Sequence, residues 1–201
     1  FRQKFTSNKW MMNGAGLRRA QNGNQRSELL DTTPGSTDGK NDSALVIGRT
    51  FSDTVSGIHI TPIGKGGTTP ESLDVTVNVG AFPGDLPPAV DFSASATSAG
   101  TGVAITFNAT ASDPNGDDLA YYWDFGDGNF GTNGAIAAKS WNTAGEYLVR
   151  CVVSDMKGGV GSQSLVVTIG APTTYRISGQ VLTTNGPLQG VRVFVSTTRM
   201  S

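Results

Sequence analysis

The chain is short of the residues from which most catalytic centres are built. Its 201 residues include one cysteine, Cys151, and one histidine, His59. A single cysteine leaves no internal disulfide. A zinc centre takes three or four protein ligands, which Cys and His cannot supply here without several carboxylates. A Ser-His-Asp triad would have to use His59, and no G-x-S-x-G elbow accompanies it. H-E-x-x-H is also missing. Charged residues make up 15%, against about 25% in an average soluble chain. The formal net charge of -1 lacks the basic excess that a nucleic-acid surface needs. No apolar run reaches the roughly 18 residues of a membrane-spanning helix. No signal-peptide pattern opens the chain, and the first residue is Phe1, so the sequence reads as a piece of a longer protein. Cys151, in YLVRCVVSD, and His59, in GIHITP, both follow strand alternation and are read as structural side chains.

What is present points to an all-β chain. Glycine accounts for 27 residues, in clusters with Ser, Thr and Asn between short alternating apolar runs. Three parts are expected. Residues 1 to 84 form a β-rich partial sandwich. Strand edges fall in FRQKF and Trp10 to Arg19, and strands over Ala44 to Asp53, Ser56 to Gly64 and Leu73 to Gly80. In the last, Leu73, Val75, Val77 and Val79 share one face. An apolar face of three or four strands wants a partner layer. Ala81 to Val90 holds three prolines and a glycine and reads as an extended joint. Residues 85 to 170 carry six-to-nine-residue strands separated by turn clusters, the pattern of one complete sandwich. Residues 171 to 201 read as a β-hairpin that opens a further sandwich, with Asn185-Gly186 as its turn signal.

The central part contains Trp123-Asp-Phe-Gly-Asp-Gly128, preceded by SDPNGDDLAYY. Trp141, Gly145 and Tyr147 follow in W-x-x-x-G-x-Y, and then VSDMKGG. This resembles the PKD domain, over about 85 residues. The resemblance implies an immunoglobulin-like sandwich, and hence serial sandwiches with the PKD domain at the centre and incomplete β modules at both ends. It also implies a non-catalytic module of a secreted bacterial hydrolase or surface protein. The first part resembles the β-rich segment that follows the zinc-peptidase region of some secreted PKD proteins. The last part, YRISGQV through GVRVFV, resembles the start of a carboxypeptidase-regulatory-like domain.

Trp123 is expected to fill the space between two sheets. Asp124 to Gly128 reads as a tight turn, with Gly126 and Gly128 at positive φ and Asp124 and Asp127 accepting backbone N–H groups. The loop Asp113-Pro-Asn-Gly-Asp117-Asp118 places three carboxylates and an Asn in six residues. Close carboxylates repel unless a cation or hydrogen bonds compensate, and Ca²⁺ takes six to eight oxygens from such loops. Calcium through Asp117, Asp118 and Asp155 is one reading, which the resemblance supports; solvated turn residues are the other. Tyr122 and Phe130 are candidates for a binding surface. The expected partners are other domains of the parent chain, an extracellular protein or polysaccharide, or further copies joined through open strand edges. The expected location is extracellular or at the cell surface.

Overall fold

The computed structural model describes residues 8–20, 27–36, 38–67, 72–171, 182–183 and 186–187. The first part starts with a single helical turn, α1 (Lys9–Met12), where the Asn8 side chain accepts the Met11 N–H at 3.0 Å. That cap satisfies one of the free donors of a helix start, so Trp10 to Met12 coil where a strand edge is expected. Three short strands follow: β1 (Gly14–Ala15), β2 (Arg18–Ala20) and β3 (Ser27–Leu29). The strand expected over Ala44 to Asp53 is two pieces, β4 (Leu45–Val46) and β5 (Phe51–Asp53). Gly48 separates them at φ +86, where a Cβ would lie 1.8 Å from the Tyr121 carbonyl oxygen. Only a residue without a side chain admits that approach. β6 (Ile58–Gly66) and β7 (Ser72–Val79) complete this part, and β5-β6-β7 form one antiparallel sheet. β1 pairs with β4, and β2 with β3.

The second part is built from β8 (Ala89–Ala94), β9 (Ser98–Ala99), β10 (Ile105–Ser112), β11 (Ala120–Asp124), β12 (Ile136–Lys139), β13 (Gly145–Ser154) and β14 (Val160–Ile169). One sheet has the order β12-β10-β8, the other β11-β13-β14-β9, with β9 parallel to β14. Strand alternation sends Ile105, Phe107, Trp123, Val149, Cys151, Val153, Val167 and Ile169 inward, each 1% exposed or less. Each large apolar side chain so buried contributes about 1.5–3 kcal/mol, so these eight carry much of the domain's stability. Trp123 lies near the end of β11, with Phe92 at 5.2 Å and Phe107 at 5.9 Å between ring centroids. Its indole N–H donates to the Gly134 carbonyl at 2.9 Å, which meets the hydrogen-bond demand of a buried ring.

Beyond the sandwich, β15 (Leu182–Thr183) and β16 (Gly186–Pro187) pair antiparallel. The strands expected around Tyr175 to Val181 and Val191 to Val195 lie outside the described residues. The described residues are thus all-β apart from single helical turns in the first part.

Candidate functional site

The WDFGDG segment closes on itself. Asp124 Oδ1 accepts the Gly126 N–H at 2.9 Å, and Asp127 Oδ1 accepts the Asn129 N–H at 3.0 Å. Gly126 and Gly128 both have φ +73. A Cβ on Gly126 would lie 2.8 Å from the Leu148 carbonyl oxygen, so the turn seats flat on β13. The Lys139 ammonium meets Asp127 Oδ2 at 2.7 Å. Burial pulls the Asp127 carboxyl up, but hydrogen bonds from Lys139 and Asn129 outweigh it and hold the group below its ordinary value. Trp141 donates to the Phe125 carbonyl at 3.3 Å and stacks on Tyr147 at 5.2 Å. These side chains are committed to the fold of the turn and its floor.

The aspartates at the opposite end of β11 are arranged differently. Asp155 follows β13 and is 1% exposed. Its Oδ1 accepts three N–H groups, from Lys157 (2.7 Å), Gly158 (2.9 Å) and Gly159 (3.0 Å). Its Oδ2 is buried and has no hydrogen-bond partner. Asp113 Oδ1 accepts the N–H groups of Asn115 (2.8 Å) and Asp117 (3.2 Å), and its Oδ2 is likewise buried and unpartnered. Asp117 binds the Lys157 ammonium through Oδ1, and its Oδ2 is the third such oxygen. Asp117 and Asp155 both act on the neighbouring Asp85 carboxyl, and Asp118 lies at the exposed surface of the loop.

Asp85, at the boundary of the first and second parts, joins this group. Its carboxyl is held above the ordinary value by burial, then by the Asp155 and Asp117 carboxylates. The Asn115 side chain ties this stretch to the aspartate loop: its Oδ1 accepts the Leu86 N–H at 2.8 Å. The Lys157 ammonium is held above its ordinary value by its bond to Asp117, and Asp85 and Asp113 act in the same direction. One lysine thus faces Asp85, Asp113 and Asp117, with Asp155 beside them, and negative charge is in excess. The donors are all hard oxygens, which suits Ca²⁺ rather than zinc. Three orphaned buried carboxylate oxygens fit such an ion in chemistry. In position the fit is looser: among the described residues no three acidic, His or Cys side chains are gathered as a ready-made metal cage.

The two aromatic candidates, Tyr122 and Phe130, stand together at 6.2 Å between centroids. Both are half-buried, and the Arg49 guanidinium lies 5.6 Å over the Tyr122 ring. Burial pushes the Tyr122 hydroxyl up to about 12, with Asp124 adding to it. The pair is partly roofed by the first part of the chain, which strand alternation alone could not show.

Two facing sheets around a tryptophan-centred core, closed by a tight acidic turn, define an immunoglobulin-like sandwich module. Residues 85–169 match the family model of the PKD domain, and this segment is a PKD domain. A stretch of 66 residues is 41% identical to Collagenase ColA of Clostridium perfringens, covering 32% of this chain and 6% of the collagenase. The chain therefore spans only a small fraction of that relative's length. Among solved structures, the PKD domain of an M14-like peptidase from a Thermoplasmatales archaeon is 25% identical. That match covers 43% of this chain and 99% of the other, with a TM-score of 0.40. The PKD1 domain of Vibrio cholerae metalloprotease PrtV is also 25% identical, over 43% and 100%, with a TM-score of 0.37. Among the described residues, no helix is long and apolar enough to cross a membrane.

Proposed function

We propose that the chain is a non-catalytic, extracellular spacer module of a larger hydrolase. In this reading the PKD sandwich carries a calcium site at the pole formed by Asp85, Asp113, Asp117 and Asp155. The observation that carries the calcium reading is the set of three buried, unpartnered oxygens on Asp113, Asp117 and Asp155. A buried acceptor without a partner is costly, and a divalent cation drawn to this pole would offset the excess of negative charge. Bound calcium would take the carboxylate that Lys157 now holds, and the lysine would swing to solvent. Asp118, next in the chain, could join only through water or a loop shift. The 41% identity to part of a collagenase supports a hydrolase as the parent. A spacer is favoured over a polymer-binding surface because Tyr122 and Phe130 are half-covered and Trp141 is buried.

Calorimetric titration with calcium tests the site. Wild type should give heat and a higher melting temperature, and Asp117→Ala neither; a silent wild type would remove calcium from the account. Pull-down on insoluble collagen, chitin and cellulose tests the spacer role. No retention is expected, and retention on any of them would move the reading to a binding module.

A second reading, self-association, has its own observation. Among the described residues β7 is an edge strand, and Val75, Val77 and Val79 on its outer face are 42%, 55% and 71% exposed. Across the sheet Phe51, Ile60 and Val77 lie in register on that same face. The edge carries one charge, Asp74, and no proline, so little blocks pairing with another strand. The occupant that fits is β7 of a second copy, antiparallel and centred on Thr76. Leu73 then faces Val79, Val75 faces Val77, and Asp74 meets Asn78 rather than another carboxylate. Sedimentation at varied concentration should show dimers that Val77→Lys abolishes; a strictly monomeric wild type refutes this reading.

A further inference from the structure

The β5-β6-β7 sheet turns its polar face inward, onto the turn that carries Asp155. Asn78 Nδ2 on β7 donates to the Met156 carbonyl at 2.9 Å. The Thr50 hydroxyl donates to Ser154 Oγ at 2.8 Å and lies 2.8 Å from the Thr61 hydroxyl on β6. His59 on β6 is 4% exposed, and its Nδ1 lies 3.0 Å from Ser52 Oγ. Its ring edge packs so close to Gly158 that a Cβ there would be 3.3 Å from Cε1. Phe82, in the joint after β7, sits 5.6 Å from the His59 ring and under the Lys157 ammonium at 5.4 Å. Every residue of Ser154 to Gly158 except Asp155 itself is thus touched by the first part of the chain or by the joint.

The turn needs such support. Met156 has φ +62, the one described non-glycine residue at positive φ, a conformation that side chains seldom adopt. Its N–H donates back to Ser154 Oγ at 3.0 Å, the hydroxyl that Thr50 holds from the other side. Backbone held in a sparsely populated region persists only where its surroundings over-determine it. Released from Asn78 and Thr50, Met156 would relax toward negative φ. The N–H groups of Lys157, Gly158 and Gly159 would then turn away from Asp155 Oδ1, and the Asp155 carboxylate would lose its aim.

We infer that the first part of the chain is a clamp: docking its polar sheet face holds the Asp155 turn in the form that faces Asp113 and Asp117. This rests on, and deepens, the calcium reading. If a cation binds at that pole, linkage requires the effect to run both ways. The cation tightens the clamp, and the clamp raises affinity for the cation.

Hydrogen exchange and calcium calorimetry on the full chain test this with Asn78→Ala and, as a milder variant, Thr50→Val. Tryptophan fluorescence first establishes that the sandwich is folded in each. The clamp predicts faster exchange at the Lys157, Gly158 and Gly159 amides in both variants, with β10 and β13 unchanged. It also predicts calcium affinity reduced roughly fivefold or more, and slower exchange across β6 and β7 when calcium is added to wild type. Unchanged exchange at those three amides in folded Asn78→Ala and Thr50→Val overturns the clamp, whether or not calcium binds. Calcium binding that is equal in wild type and both variants overturns the coupling and leaves the calcium site standing. Faster turn exchange with no calcium heat in wild type keeps the clamp and removes the calcium reading.

Discussion

The two described β regions bury opposite faces. In the PKD sandwich each sheet turns its apolar side inward, and Ile105, Phe107, Trp123, Cys151 and Val167 meet in one core. In the β5-β6-β7 sheet His59, Thr61 and Pro62 are the buried side chains, while Val77 and Val79 face out. Apolar burial supplies most folding free energy. The sandwich can therefore stand alone, whereas the first part depends on hydrogen bonds to its neighbour and on the small cluster from Ala44 to Ile47. A polar interface of this kind adds modest stability per bond, about 0.5–1.5 kcal/mol, but it fixes one orientation. The arrangement suits a joint that must be oriented rather than strong.

Substitutions should break the two regions separately. Trp123→Ala removes the ring at the centre of the core and should cost about 3–5 kcal/mol, out of a total of about 5–15 kcal/mol for such a domain. Thermal melting should show the sandwich lost and the first part lost with it. The same experiment reports on Cys151, whose thiol burial pushes up to about 12. A thiol reagent at mildly alkaline pH should leave wild type untouched and label the variant rapidly. Gly48→Ala sets a Cβ 1.8 Å from the Tyr121 carbonyl oxygen. Overpacking of that sort costs about 1–3 kcal/mol, and here it should undock the first part while the sandwich melts as before. Limited proteolysis should cut the variant between β4 and β7 first.

Smaller effects sharpen the contrast at the junction. The Asp85 carboxyl is held above its ordinary value, so its ionised form weakens the fold at neutral pH. As pH falls through the raised value the folded state takes up the proton first, and the penalty disappears. Asp85→Asn should therefore raise the melting temperature slightly at pH 7 without divalent ions, and not at pH 3. Added calcium should reverse the order, because the wild-type carboxylate then has a partner. The smallest effect is expected of Val77→Lys, at an exposed position where substitutions usually fall within about 0.5 kcal/mol. It should leave the melting curve in place and change only self-association.

Much of the sandwich was legible because its signals are local. Alternation through Val149, Cys151 and Val153 marked the buried face of β13, and all three are 0% exposed. The first part was harder to read. Alternation named Val75, Val77 and Val79 as one face, but it cannot say whether that face is covered. The break at Gly48 arises from contact with Tyr121, 73 positions further on, and nothing near Gly48 encodes it. At the acidic pole, the spacing of Asp113, Asp117 and Asp118 suggested a single loop. Asp85 also approaches this loop, because the Pro-rich joint folds back beside it through Asn115. Lys157 and the contacts of Asn78 and Thr50 were not legible, since they depend on how two separate parts of the chain meet.

Native-state hydrogen exchange on the whole chain, followed as denaturant is raised, should resolve two steps. Amides of β6 and β7 open together with the Lys157 to Gly159 amides at a lower free energy, and those of β10, β13 and β14 open only with global unfolding. Protection of β6 and β7 equal to that of β13, or a Lys157 to Gly159 turn that stays protected after β6 and β7 have opened, would contradict this order.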